Sequence, residues 1–419
     1  MTKMQQIVYA ANSFSTGIMI PVLTLTLLDK GSDLQTLPLL LMIYSLTVLC
    51  LELPSGILAD MYGRKTVFLL SCGFMMVSFI LLLLADEIVL LIIAIIFFGL
   101  GRAFCSGSLD ALLIDQTLEA HGEGCIAKVT SRLAALESCG LAFGGLAGGL
   151  IYNLTGTYSS NIIVRLTLTA ILIVLSSVFI KDEPQHGMKQ QKQRIKLNEI
   201  IRRGGRVILS KPKFSLIFIG ILFTGFFLFT VETYWQPALM QFTPPNGTWV
   251  LGLVTFIGYF TIIFGNIIAQ KLLDRSKISW WNVYNICRIA IAVIILAFAF
   301  QKSAAGFVCW YAGIYILLGA GNVAESSLIN KYTPKNMRAS MLSLSSLMTQ
   351  IGGLCGSLFS SIMILRLHFS GIWIVAGAIS GIFAIAVTIV SNIKYKVEEE
   401  MQPMLCSQFG NEGNNGKQV

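Results

Sequence analysis

Apolar residues gather along this chain in long unbroken runs, at 6–28, 38–59, 66–85, 88–112, 132–154, 159–180, 214–236, 249–270, 280–300, 304–328, 341–364 and 371–393. Each is long enough for a helix to cross the hydrocarbon core of a bilayer, which takes about 20 residues. Such runs are too long and continuous for barrel strands, and in lipid only a helix satisfies its backbone groups within one segment. The pattern predicts an all-α membrane protein of twelve transmembrane helices. The first run begins at once, with no small-residue cleavage site after it, so it is read as a span and not as a removable leader.

Composition agrees. Of 419 residues 55% are hydrophobic and 12% charged, against about 25% charged in soluble domains. The mean hydropathy is +0.75. No length remains for a large soluble domain. The nine cysteines are scattered, no Cys-x-x-Cys occurs, and His121, His186 and His368 fall in connecting segments without ligand spacing. Neither a metal, a cofactor nor an enzymatic nucleophile–base pair is expected.

The net charge of +9 is explained by its placement and does not point to nucleic acid. With both termini inside, 24 of the 30 basic residues fall in inner segments, three (Lys30, Lys302, Arg366) outside, and three (Arg102, Arg165, Arg288) within spans. This bias orients the chain with both ends cytoplasmic. Ten of the inner ones lie in 181–213, a basic cytoplasmic linker between a six-helix bundle at 1–180 and another at 214–393. Within 194–210 an apolar face opposite Arg202, Arg203 and Arg206 suits either a helix on the anionic inner leaflet or a solvated linker. The tail, 394–419, is expected to be disordered. Gly144-Gly145 and Gly148 recur as Gly352-Gly353 and Gly356, so the halves read as parallel repeats with a binding site between them.

Between the second and third runs stands Gly56-Ile57-Leu58-Ala59-Asp60-Met61-Tyr62-Gly63-Arg64-Lys65. It resembles the loop motif of the major facilitator superfamily, Gly-x-x-x-Asp-x-x-Gly-Arg-Lys, in the same place. Gly56 would allow close helix contact, Gly63 a tight turn, and Asp60 a pairing with Arg64 or with a helix N-terminus. Resemblance to that family adds Asp115 as a partner of Arg64 in a cytoplasmic latch. In the fifth run Gly140, Gly144, Gly148 and Gly149 resemble the antiporter motif of the family's exporters, with Gly145 where those have proline. A glycine stripe of this kind serves as a hinge or as ordinary close packing.

Arg102 resembles the family's intramembrane arginine. Glu52 and Arg102 each fall 14 residues past the outer starts of their runs, so both lie about 21 Å deep at 1.5 Å per residue. The pair is a candidate for proton coupling or for a static ion pair. Glu325 would face the central cavity by resemblance, as a proton carrier, a substrate ligand or a neutraliser of Arg288. Asn12, Ser15, Thr16 and Asn322 join it as candidate substrate contacts. Glu137 reads as solvated near the cytoplasm. Glu232, beside Tyr234 and Trp235, reads as part of an interfacial aromatic belt.

The resemblance covers residues 5–395 and implies a monomeric, proton-coupled antiporter of the bacterial cytoplasmic membrane. It would export amphipathic small molecules such as antibiotics; Glu52, Pro54, Asp60, Arg64 and Lys65 also resemble a pattern in tetracycline exporters. A proton-coupled uptake symporter for a sugar or another metabolite is the alternative.

Overall fold

A computed structural model describes the chain except for residues 107, 123–124, 181–207, 209–211, 245–246, 276–278, 334–337 and 411–419. The linker therefore lies outside the described residues except at Ile208, Pro212 and Lys213, and its amphipathic segment except at Ile208. Fourteen helices form among those described. In the first half they are α1 (Lys3–Met19), α2 (Leu23–Asp29), α3 (Thr36–Tyr62), α4 (Arg64–Leu84), α5 (Ile88–Cys105), α6 (Leu109–His121), α7 (Ile126–Thr155) and α8 (Tyr158–Phe179). The second half has α9 (Pro212–Met240), α10 (Trp249–Arg275), α11 (Trp280–Ala299), α12 (Ala304–Tyr332), α13 (Arg338–Met363) and α14 (Phe369–Gly410).

Each apolar run of the sequence becomes one helix or one broken pair. The first span breaks around Pro21, which lacks an N–H to continue the ladder, and α1 and α2 meet at a 46° bend. The fourth is divided into α5 and α6. By length and apolar composition nine helical stretches among the described residues can cross a membrane, and the bent pair makes ten. The remaining two apolar runs form α3 and the serine-rich α13, which fall short of that measure. The backbone of α14 stays helical to Gly410, past the point where a disordered tail was expected. Large apolar side chains such as Leu154 and Ile382 stand exposed on the outside of the bundle, a surface suited to lipid.

Local chemistry sets the breaks. Gly63 separates α3 from α4 with φ +92°, a conformation that L side chains rarely adopt. At the other end of the bundle Asp33 accepts hydrogen bonds from the Thr36 and Gln35 amides at 2.7 and 2.9 Å and fastens the start of α3. Those amides, Thr36 first, hold its carboxyl below the usual carboxylate range.

Small residues let the helices approach. A Cβ added at Gly144 or Gly148 of α7 would strike the Phe14 or Ile18 carbonyl of α1. In the second half, one at Gly352 or Gly356 of α13 would strike the Leu222 or Phe226 carbonyl of α9. The two halves repeat the same close pairing, as the recurrent glycines suggested.

The halves meet each other at the end of the bundle that carries residues 30–36. Here Ser361 Oγ donates to the Gln35 carbonyl at 2.8 Å, and the Tyr234 hydroxyl lies 2.9 Å from the Leu34 carbonyl. Gln236 Nε2 donates to the Ile20 carbonyl at 3.3 Å. Next to these, α7 packs on α10. A Cβ at Gly149 would lie 2.7 Å from Gly252 N, and one at Gly145 would lie 2.5 Å from Thr255 Cγ2. This end is closed.

Candidate functional site

A cavity of about 330 Å³ lies within the bundle, lined chiefly by α1, α3, α4, α5, α7 and α8, with Tyr259 of α10 facing them from the other half. Its walls are largely apolar, with Met75, Phe79 and Phe98 among them, and its arginine and carboxylate groups are Arg102, Arg165 and Glu137. Asn12 and Thr16 of α1 also line it. Arg165 donates from Nη1 to Thr16 Oγ1 at 3.3 Å, and Asn12 Nδ2 lies 3.8 Å from Cys105 Sγ.

Several sequence candidates are placed elsewhere. Ser15 is buried on another face of α1, and Asn322 is exposed and not among the cavity-lining residues. Glu325 of α12 is engaged by the Arg288 guanidinium of α11 in a close ion pair, the contact expected of a neutraliser. Glu52 and Arg102 do not form the expected pair. Their depths do match: Ser55 Oγ, one turn from Glu52, reaches the Ala103 carbonyl at 2.9 Å. Yet α3 meets α5 along Thr47, Leu51 and Ser55, and Glu52 follows Leu51 by about 100° of helix rotation, which turns it off that contact. Arg102 points into the cavity instead, beside Tyr44.

The loop motif gives a mixed picture. Arg64 and Asp115 meet, Nη1 to Oδ2, at 2.7 Å, and Lys65 Nζ donates to the Ser177 carbonyl at 2.8 Å. Both contacts join helices of one half. The side chain of Asp60 lies outside the described residues. A Cβ at Gly56 would meet nothing within 4 Å among the described residues, so no close helix contact requires that glycine.

The glycines of α7 separate into two rows. Gly140, Gly144 and Gly148 face α1, in their own half, while Gly145 and Gly149 face α10 of the other. The regular i, i+4, i+8 stripe is thus internal packing. The contact between halves rests on its neighbours.

Sequence reasoning missed Glu232. It sits in α9, which continues to Met240, so it is two turns short of the helix end and not in a terminal belt. Its Oε2 accepts from Trp235 Nε1 at 3.1 Å, its Oε1 lies 3.1 Å from the Tyr311 hydroxyl, and the Tyr315 hydroxyl makes a close contact with Oε1. No Lys or Arg pairs with it among the described residues. Arg165 was visible as an intramembrane charge but had no role assigned; the packing of α8 on α1 and α4 supplies one by aiming it into the cavity.

A family model described as Major Facilitator Superfamily matches residues 7–324, about three quarters of the chain. The chain belongs to the Major Facilitator Superfamily. It is a multi-pass membrane transporter of that superfamily, with the twelve-helix, two-repeat fold. It is 25% identical over 391 residues to the uncharacterized MFS-type transporter YxaM of Bacillus subtilis (strain 168), covering 92% of this chain and 94% of that one. Among solved structures it resembles a mutant of the nucleoside transporter NupG with TM-score 0.77 at 14% identity, over 92% of this chain and 98% of that one. It also resembles a bacterial homolog of the human lysosomal transporter Spinster, inward-facing and occupied, with TM-score 0.69 at 13% identity. That match covers 95% of this chain and 96% of the other. At such identities these likenesses concern the fold alone.

Proposed function

We propose that this superfamily member is a proton-coupled antiporter that exports amphipathic small molecules from a bacterial cell by alternating access. The observation that carries the reading is the cavity, an apolar chamber with a few polar groups that is faced by both halves and lies beside their closed contact. With the basic loops inside, the closed end is the outer one and substrate would be taken up from the cytoplasm. Opening requires α7 to part from α10 near Gly149. Arg64 and Asp115 then belong to the cytoplasmic latch, together with Asp60, and both termini are cytoplasmic.

Glu232 is the carboxylate we assign to the proton. A carboxylate held within a membrane span without a cation is costly to keep charged, and a protonated one is a neutral passenger. Glu325 is already neutralised by Arg288, and Glu52, unlike Glu232, makes no side-chain hydrogen bond to another helix among the described residues.

Uptake by proton symport is the second reading, favoured by Glu137. Glu137 shares the cavity with both arginines, so protonating it would leave their charge free to hold an anion. Direction of movement separates the two. Cells with and without the chain are compared on a growth-inhibition panel of antibiotics and dyes, and a compound whose potency falls is followed in everted vesicles. Exchange for protons predicts accumulation when the vesicle interior is acidified, and release when the pH gradient is collapsed. Loss of the compound on energisation would instead establish the symport reading.

A further inference from the structure

We propose that the cavity selects compact amphipathic organic anions and that Arg165, with Arg102, receives the anionic group. The inference rests on the transport reading above and adds the charge of the substrate. Arg165 is 4% exposed, and its Nε is enclosed without a hydrogen-bond partner. Its guanidinium otherwise finds Thr16 Oγ1 at 3.3 Å and the ring of Phe79, 5.6 Å away. No carboxylate pairs with it among the described residues. Arg102 faces the same space, also without an ion pair among those residues, and Glu137 is the one carboxylate among the cavity-lining residues. Among the cavity-lining residues two guanidinium groups therefore face one carboxylate; Asp110 of α6 adds a second negative charge near Arg102, while no carboxylate acts on Arg165.

The second half shows the contrast. There the intramembrane Arg288 is matched by Glu325. A buried charge left without a counter-ion is unfavourable, and in a membrane helix such a charge marks a functional position. An unoccupied guanidinium edge is shaped to receive a carboxylate, sulfonate or phosphate through paired N–H donors. Phe79, Phe98, Met75 and Leu41 offer apolar walls for the remainder of the molecule. The volume of about 330 Å³ is at the lower end of the range of about 300–1,000 Å³ for small-molecule sites, which suits a body of two or three rings.

The test uses three probes that share a naphthyl body and carry a small head group of different charge: 2-naphthoate, 2-naphthamide and 2-naphthylmethylammonium. Binding to the purified full chain is measured by equilibrium dialysis, and movement in proteoliposomes, under gradients of either direction, is counted only where it exceeds that in protein-free liposomes of the same lipid. The proposal expects naphthoate to bind about tenfold or more tightly than the amide, and the ammonium most weakly. Arg165→Gln should erase that preference and Arg165→Lys should restore part of it. Thermal unfolding of each variant shows whether it is folded. If Arg165→Gln is not, Arg102→Gln carries the test and should weaken naphthoate selectively. Equal binding of the three probes, or a preference unchanged in every folded Arg variant, overturns the proposal. If the amide or the ammonium crosses and naphthoate does not, the anion site falls and the transport reading stands. If naphthoate binds with the stated preference and no probe crosses in either direction, transport falls and the anion site stands.

Discussion

Gly149→Ala should lower transport by about tenfold while the protein still folds and reaches the membrane, and Gly148→Ala should instead lower stability while transport per folded molecule is kept. Both glycines lie in α7 and are adjacent, so propensity and lipid exposure hardly distinguish them. Their neighbours do. A methyl at Gly149 would press on Gly252 N and Cα of α10, at 2.7 and 2.8 Å, across the boundary between halves. One at Gly148 would press on the Ile18 carbonyl of α1, within a single half. Overpacking costs about 1–3 kcal/mol. At Gly149 that strain exists only while the two halves are closed here, so it moves the balance between conformations by roughly 5- to 150-fold. At Gly148 it is present in every conformation and lowers stability instead. Transport per folded molecule and thermal unfolding in detergent, measured on both variants, check this. Equal losses of both quantities in the two variants would show that α7 has a single packing face.

Glu232→Gln should free transport from the pH gradient. The carboxylate ties α9 to α12 through Tyr311 and Tyr315, and Trp235 holds its other oxygen. Protonation removes the charge that these donors support, which loosens the link between the two helices. Gln imitates the protonated state permanently. One donor then faces an NH₂ group and is left unsatisfied, so a stability loss of about 1–3 kcal/mol is also expected. Exchange of substrate for substrate should survive, whereas accumulation driven by a pH gradient should vanish. Glu52→Gln should leave that accumulation within about twofold, because the Glu52 side chain has no hydrogen-bonded link between helices, among the described residues, for protonation to loosen. Gradient-driven accumulation that persists in Glu232→Gln and is lost in Glu52→Gln would return the proton to α3.

These two expectations also mark where sequence reading stops. Twelve runs of about 20 apolar residues leave the chain one option in lipid, so the helical spans and their two-half order were legible from hydropathy and charge. The repeat was legible too, because close helix pairing demands glycine at particular positions and both halves keep it. What hydropathy encodes is depth. It does not encode the direction in which a side chain leaves its helix. Glu52 and Arg102 share a depth yet face apart, since one step of α3 turns a side chain by about 100°. The same loss of angle hid the two rows of α7 glycines. Glu232 was hidden differently: its run was drawn to end at 236, but the helix extends to Met240 because Pro237 does not stop it. Arg165 was plain as a charge in a span, but the cavity it serves exists only once α1, α4 and α8 are packed.

Alternating access between the two halves is the centre of this account, and a reversible bridge across the closed end tests it most directly. Ser361 and Gln35 touch there through the 2.8 Å hydrogen bond between α13 and the residue preceding α3. In a chain whose nine native cysteines are replaced, Gln35→Cys and Ser361→Cys are joined with a short bis-methanethiosulfonate linker and then released with reductant. Transport in proteoliposomes should cease when the bridge forms and recover when it is cleaved, while either single cysteine variant remains active throughout. Undiminished transport by the fully bridged protein would contradict the account, because substrate would then be crossing without the halves separating at this end.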